Sequence, residues 1–494
     1  MATRLPATAA ALLNTQTSTT RAPTVAVAVI EASGQLSHER LHRLVASSLP
    51  GSARFRSRLA GKPFGMGQPV WAEIDDYDPT PQIHSTTVGA PGGRSEFADL
   101  IGRLTTGPQD RHLWEAWSID GLAGGRWALA VKMSPALSDA GAGSASLWPR
   151  LLTNGGRDDL AKNLPPQSSP GAPSLGALLI DTVSELIENN VTGAWLLAEA
   201  VAGALRAARG RLRGTGEPEP ISPAASMSGP VPHTVFNAPL TRRRAVGFAS
   251  IPLSDLQKVN NAFGGSITNV FLAACTLSLR AWLQRHATVP DEPLLIQMPL
   301  ASPDADPTAM GNPLTVGRLR LPVQLDDPVL VLTNLHTATD RLNTTRERDI
   351  EKRYVTVDFE SIAAVIPPFA ARAASQLYTR LGLAPICHGS VSYHAGKPVP
   401  AYCAGAMVVG MHTVAPLQAG CGLTIALTSR GDVLDLSLCV CPDNVPAVED
   451  IASGIAESVD VLVAAARESP RGHGRSVVTT LTSHGTRRSH GRRY

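Results

Sequence analysis

Leu113-Trp114-Glu115-Ala116-Trp117-Ser118-Ile119-Asp120-Gly121-Leu122-Ala123-Gly124-Gly125-Arg126-Trp127-Ala128-Leu129-Ala130-Val131-Lys132-Met133-Ser134-Pro135-Ala136-Leu137-Ser138-Asp139-Ala140 is the stretch on which the fold turns. Leu113 to Asp120 and Arg126 to Met133 flank the glycine-bearing Gly121 to Gly125. That pattern predicts a strand, a turn and a returning strand. In such a hairpin Asp120 pairs near Arg126. Counting outward then puts His112 opposite Ser134 or Pro135, a few ångströms away on the same face. The seven residues after the second strand, Ser134 to Ala140, contain no histidine.

Working outward, Thr24 to Ile30 alternates and is β-branched, which predicts a strand. Ser37 can cap a helix whose Leu41, Leu44, Val45 and Leu49 line one face. Helical periodicity recurs at 175–187, capped by Ser174, and at 193–212. Residues 217–238 are rich in Pro, Ser and Gly and mark a boundary. Beyond it, 244–251 predicts a strand, Ser254 a cap on a short helix, and Thr268 the start of a longer one. Strands follow at 294–300 and 316–323, and helices at 328–342 and 359–381. Three more strands, at 406–412, 423–429 and 433–439, lead to an amphipathic helix at 448–465. Strands and helices mix in both halves, so the fold class is α/β.

A chain of 494 residues predicts two or three domains. A net charge of +3 excludes nucleic-acid binding across the whole surface. From Arg471 onward there are arginines and histidines but no acid. This tail, 469–494, reads as a solvated extension. The sharper alternative is a hold on anionic lipid, worth about 1 kcal/mol per basic residue. Cys275, Cys387, Cys403, Cys421, Cys439 and Cys441 form no Cys-x-x-Cys pair. They predict buried, reduced thiols and no metal site. No segment reaches the roughly 20 apolar residues of a membrane helix. The run Ala7 to Leu13 is short and ends at Asn14-Thr15-Gln16, so it predicts no signal peptide. The expected location is cytoplasmic.

Many short motifs in order resemble the bacterial wax ester synthase/acyl-CoA:diacylglycerol acyltransferase family, of the actinobacterial triacylglycerol synthase type. They are Arg54-Phe55-Arg56-Ser57-Arg58-Leu59, Gly67-Gln68-Pro69-Val70-Trp71, Leu113-Trp114-Glu115 with Trp117, Ile119-Asp120-Gly121-Leu122, and Pro239-Leu240 ahead of Arg242-Arg243-Arg244. Leu272-Ala273, Gly311-Asn312, Leu321-Pro322, Pro416-Leu417 and Gly431-Asp432 with Leu434-Asp435 continue the series. The resemblance implies two pseudo-related CoA-dependent acyltransferase domains, chloramphenicol acetyltransferase-like, with a substrate tunnel between them. The expected units are 1–215, a crossover at 216–240, 241–468, and the tail at 469–494.

It also implies a chemistry. The family's loop carries two histidines and, four positions on, Asp-Gly. Its second histidine takes a proton from an acceptor hydroxyl, which attacks an acyl-CoA thioester. Its aspartate fixes the loop by pairing with an arginine. On this chain the first histidine position is Ser134, the base position is Pro135, and Asp139 keeps the aspartate. Proline has no ionisable group and no N–H. The family's Asn-Asp reads Thr268-Asn269, and its Ser-Asn-Val-Pro-Gly-Pro loop reads Ser392-Tyr393-His394-Ala395-Gly396-Lys397.

His112, His388 and His394 are the candidate substitute imidazoles. Arg242, Arg243 and Arg244 could meet the phosphates of CoA or form a solvated edge. Thr268 and Asn269 could cap a helix or touch substrate, as could Ser392 in its loop. Gly311 and Asn312 read as turn geometry. The implied ligands are acyl-CoA, as co-substrate, and diacylglycerol or a long-chain alcohol, with no cofactor or metal, and such lipid substrates imply a peripheral place at a membrane or lipid-droplet surface. Three readings stay open: an active acyltransferase, a non-catalytic relative that binds these ligands or pairs with an active homologue, and an enzyme with another acceptor and a relocated base.

Overall fold

The computed structural model describes residues 4–21, 23–62, 68–107, 112–137, 147–154, 231–300, 315–351, 373, 387–394 and 400–468. Asp139, Gly311, Asn312, the helices expected at 175–187 and 193–212, most of 359–381, and the tail lie outside the described residues.

The N-terminal half supplies β1 (Thr24–Ile30), β2 (Ser57–Ala60), β3 (Val70–Glu73), β4 (Ile83–Thr87), β5 (Trp114–Leu122) and β6 (Arg126–Met133). The C-terminal half supplies β7 (Ala245–Pro252), β8 (Leu294–Leu300), β9 (Thr315–Leu321), β10 (Gly389–His394), β11 (Tyr402–Cys403), β12 (Ala406–Val414), β13 (Leu423–Arg430) and β14 (Val433–Val440). They build two six-stranded sheets, β11-β12-β1-β6-β5-β4 and β7-β14-β13-β10-β8-β9. β2 and β3 form a separate ribbon. The C-terminal half lends two strands, β11 and β12, to the first sheet: β12, inside the unit expected at 241–468, pairs antiparallel with β1, with Val27 opposite His412.

β1 explains why the first sheet is covered on both sides. All seven of its residues are buried. Side chains alternate across a strand, so Ala26, Ala28 and Ile30 enter one core, with Leu41, Leu44 and Val45 of the helix His38–Ser48. Val25, Val27 and Val29 enter another, with Phe97 and Ile101 of the helix Arg94–Thr106 and with Val246 and Phe248 of β7. This second cluster joins the two sheets. Gly102 allows the approach, because a Cβ there would lie 2.7 Å from the Arg244 carbonyl oxygen. The second sheet has its own core around Trp282, Leu279, Ile425 and Leu436. Each such fully buried apolar side chain contributes about 1.5–3 kcal/mol.

The structure corrects four local expectations. The hairpin carries a register shift, so Ile119 pairs with Ala128 and Leu122, not Asp120, with Arg126. Gly121, at φ 77°, takes up the extra residue. The short helix is Leu253–Phe263, preceded by Pro252 with no side-chain cap, so Ser254 lies inside it. The longer helix, Ile267–His286, is capped by Ser266, whose side chain accepts from the Asn269 N–H, rather than by Thr268. Finally, Cys387 and Cys421 form a disulfide, where composition predicts thiols. Parallel pairing of Gly389 with Leu423 places the two cysteines side by side, each two residues before its strand partner. Cys275, Cys403, Cys439 and Cys441 are buried free thiols.

Candidate functional site

The loop after β6 begins as a closed turn. The Ser134 N–H donates to the Leu113 carbonyl at 2.7 Å and continues the hairpin ladder by one step. The Leu137 N–H then donates to the Ser134 carbonyl at 2.9 Å. That bond defines a four-residue turn with Pro135 second. Proline suits this place, since its φ is preset and the turn uses no N–H there. Ser134 suits the first place, and its hydroxyl accepts from the Ala136 N–H at 3.4 Å. Residues 134–137 are all buried. Ala136 and Leu137 pack with Leu147, Trp148 and Leu151. Where an imidazole would need room and a proton path, this chain has an apolar turn.

Two residues upstream, Lys132 is 1% exposed. Its Nζ donates to the Gly107 carbonyl at 2.8 Å and lies 3.6 Å from Glu115. His112 is half-buried and sits just beyond the last paired residues, Trp114 and Met133. Extending that register places it across from Pro135.

A cavity of about 260 Å³ opens at the same end of the first sheet. Pro23 in its wall precedes Thr24, the strand partner of Met133. Ser18, Thr19, Arg21, Thr105, Thr106, Arg242, Arg244, Ala415, Pro416 and Cys439 complete the lining. Among the described residues the lining includes three arginines and four hydroxyl-bearing residues and no Asp or Glu. Arg244 is anchored by its bonds to the carbonyls of Thr241, at 2.6 Å, and of Thr19. Arg243 points elsewhere and bonds Asp443 at 2.6 Å. Burial pushes the Cys439 thiol up to about 12, so it is an inert wall. The three arginines predicted together thus divide, two to the pocket and one to an exposed ion pair.

The seam between the sheets is polar and well satisfied. The Asp435 carboxylate on β14 is fully buried and accepts from Arg430 Nε at 2.8 Å, Ser250 Oγ at 2.7 Å and the Met411 N–H at 2.8 Å. The next residues repeat the contact: His412 Nδ1 lies 3.2 Å from the Leu436 carbonyl, and the Thr413 N–H donates to Ser437 Oγ at 3.2 Å. β12 is therefore held to both sheets at once. Burial pushes the His412 imidazole below its ordinary value, with Asp435 opposing.

The remaining candidates do not converge. His388 is fully buried. Its Nδ1 accepts from the Leu295 N–H at 2.8 Å, and its Nε2 donates to the Pro232 carbonyl at 2.8 Å. Both nitrogens are used in joining β8, β10 and the crossover. Burial pushes this ring below its ordinary value as well. His394, at the far end of β10, pairs with Ser392 Oγ at 3.0 Å. Six residues of strand put it roughly 20 Å from His388. Asn269 is buried and accepts from Thr339 Oγ1 at 3.0 Å, which ties its helix to the helix Pro328–Glu351. Among the described residues no group of three His, Cys, Asp or Glu could hold a metal.

The model of the wax ester synthase/diacylglycerol acyltransferase catalytic domain matches residues 5–271, and that of the C-terminal domain of the same family matches 310–462. The chain belongs to this family. One relative, a Mycobacterium tuberculosis protein named as a candidate diacylglycerol O-acyltransferase, is 26% identical over 455 residues, 89% of this chain and 85% of its own. Another from the same species, named likewise, is 27% identical over 469 residues, 94% of this chain and 96% of its own. The solved wax ester synthase/diacylglycerol acyltransferase from Marinobacter aquaeolei VT8 superposes with a TM-score of 0.64 at 20% identity, covering 94% of this chain and all of that one. The first condensation domain of the calcium-dependent antibiotic synthetase superposes at 0.53 with 16% identity, covering 95% and 97%. The chain thus has the two-domain α/β fold of these acyltransferase-type proteins.

Sequence reading did not find the pocket, because its walls come from five separate segments. Arg21 and the hydroxyls of Ser18, Thr19, Thr105 and Thr106 carry no local signal for it. Nor did it find the Asp435 seam, where a motif aspartate becomes a clasp between sheets only because β12 lies in the first sheet.

Proposed function

We propose that this chain binds acyl-CoA together with a lipid alcohol, diacylglycerol or a long-chain alcohol, between its two halves. Acyl transfer there lacks the imidazole at position 135 and is slow, while the ligands are still held. In the reaction the hydroxyl oxygen bonds to the thioester carbonyl carbon, the carbon–sulfur bond breaks, and the hydroxyl proton ends on the CoA sulfur. A positioned base contributes about 10²–10⁴-fold to such a step, equivalent to about 2.7–5.5 kcal/mol of barrier. The buried Ser134–Leu137 turn, with proline at the base position, is the observation that carries the reading. Substrate positioning is separable from proton transfer, so ligand binding survives the loss.

The arginine-lined cavity supports the CoA assignment. About 260 Å³ suits a phosphate-bearing part of a ligand rather than a whole lipid. The lipid substrates favour work at a membrane or droplet surface, although no single described helix is long and apolar enough to cross a membrane.

Incubation of the purified chain with labelled palmitoyl-CoA and diolein tests the proposal. The expected outcome is saturable palmitoyl-CoA binding with triacylglycerol close to a protein-free blank. Brisk triacylglycerol formation overturns it. One second reading has a specific observation behind it: the hairpin ladder continues through Ser134 and Leu113, which puts His112 across from Pro135. If residual turnover disappears in His112→Ala, that imidazole serves as the relocated base.

A further inference from the structure

The disulfide has no part in acyl transfer, but it sits where two walls of the arginine pocket begin. Between Cys387 and Cys421, 34 residues apart, the chain runs through β10 of the second sheet, then β11 and β12 of the first, and returns to β13 of the second. The bond closes this excursion at its base. Along β12 the excursion is held by the Met411 and Thr413 N–H groups, which donate to Asp435 and Ser437. Ala415 and Pro416, which line the pocket, lie on the return leg between those two supports.

The crossover is docked on the same base. Asn237 is buried, and its Nδ2 donates to the Cys387 carbonyl and to the Gly420 carbonyl, each at 2.8 Å. One amide therefore spans both cysteine-bearing segments. The Gly422 N–H donates to the Phe236 carbonyl at 2.7 Å. A Cβ on Gly422 would lie 2.6 Å from that oxygen, so the two backbones touch. Arg242 and Arg244 of the pocket follow directly along the chain. Two arms of the wall, Ala415-Pro416 and Arg242 with Arg244, thus extend from one covalently closed point.

We propose that the Cys387–Cys421 disulfide is a redox switch on the arginine pocket: oxidised, it fixes both arms, and reduced, it lets them separate and weakens the hold on ligand. Its effect on binding rests on the reading of that pocket as the site for CoA phosphate. A dithiol supplies the two electrons. Its thiolate bonds to the sulfur of Cys421, which is 8% exposed against 0% for Cys387. The sulfur–sulfur bond breaks and the electron pair leaves on Cys387. The second thiolate of the dithiol then displaces Cys421, the reductant departs as a disulfide, and its two protons complete the two protein thiols. Cys421 Sγ lies 3.4 Å from the Cys387 carbonyl, which accepts its S–H in the reduced state. The other four cysteines are buried free thiols, which leaves this bond as the redox couple. Breaking such a closed loop raises its opening on the order of 30–1000-fold.

The test compares the unaltered full chain before and after excess dithiothreitol, which is removed before binding is read. Alkylation and mass spectrometry report the state of Cys387 and Cys421. In the reduced chain, hydrogen exchange at 234–238 and 414–422 should rise, and palmitoyl-CoA should bind more weakly, each by about tenfold or more. Glutathione disulfide should reverse both. Cys421→Ser should match the reduced chain and ignore dithiothreitol; should that variant fail to fold, the unaltered chain decides alone. A bond that resists dithiothreitol in the folded chain, or a reduced chain with unchanged exchange, overturns the inference. So does a dithiothreitol response that persists in Cys421→Ser, or raised exchange with unchanged palmitoyl-CoA affinity. If palmitoyl-CoA binds neither form, the pocket reading fails separately, and the exchange difference still decides whether the bond holds the two arms.

Discussion

Placing histidine at 134 and 135 should create or sharply raise acyl transfer. The perturbation is Ser134→His with Pro135→His, and the structure sets its magnitude. On the gain side, a base at the family's position supplies about 10²–10⁴-fold. On the cost side, the turn loses a preset proline, about 0.4–1 kcal/mol. Two larger side chains then enter a buried turn beside Ala136 and Leu137, at about 1–3 kcal/mol each. The sum, about 2–7 kcal/mol, falls below most of the roughly 5–15 kcal/mol range for an ordinary domain, and the thermal melt checks that the variant folds. The assay is labelled triacylglycerol from palmitoyl-CoA and diolein, run beside palmitoyl-CoA binding and a thermal melt. The expected result is turnover at least a hundredfold above the unaltered chain. A folded variant that still binds palmitoyl-CoA but stays at the blank would refute the argument that only the base is missing. Equal turnover by the unaltered chain would refute it from the other side.

Three further outcomes are expected. Arg242→Ala and Arg244→Ala should weaken palmitoyl-CoA binding and reduce its salt dependence, measured by fluorescence titration, while Arg243→Ala, bound to Asp443 away from the pocket, should not. Asp435→Ala leaves Arg430, 2.8 Å away, without its buried partner, and should cost about 3–5 kcal/mol in urea unfolding. His388 and His412 have folded-state values depressed by burial, so below the ordinary histidine value of about 6.5 the unfolded chain takes up more protons. Stability should therefore be full above that pH and fall as pH drops through the depressed values, and His388→Gln/His412→Gln should flatten the slope.

What the sequence makes legible is decided by distance along the chain. The hairpin, the capped helix after Ser37 and the alternation of β1 are local, and each forms where periodicity puts it. Local competition also explains the misplaced caps: Ser266 and Thr268 are both good N-cap types, and the turn at Gly264 and Gly265, with φ 78° and 88°, favours the earlier start. The disulfide is invisible locally because 34 residues separate its cysteines and only the parallel register of β10 and β13 joins them. The same holds for the arginine pocket and the Asp435 seam.

The turn at Ser134 shows how one substitution serves two levels. An active loop must hold an imidazole in an open cavity, next to a hydroxyl and a thioester, and pays for this with unsatisfied space when empty. Ser134 and Pro135 remove that demand. The serine accepts an N–H that the loop would otherwise leave to water, and the proline restricts the chain before folding. Both changes favour the folded state, and both remove proton transfer. The seam still places the two sheets, and the arginines still line the cavity. An arginine-lined cavity at the same sheet end as a loop without an imidazole supports the proposal that this chain holds an acidic ligand without deprotonating its alcohol partner, and the loss of palmitoyl-CoA binding in Arg242→Ala and Arg244→Ala is the result that joins the two.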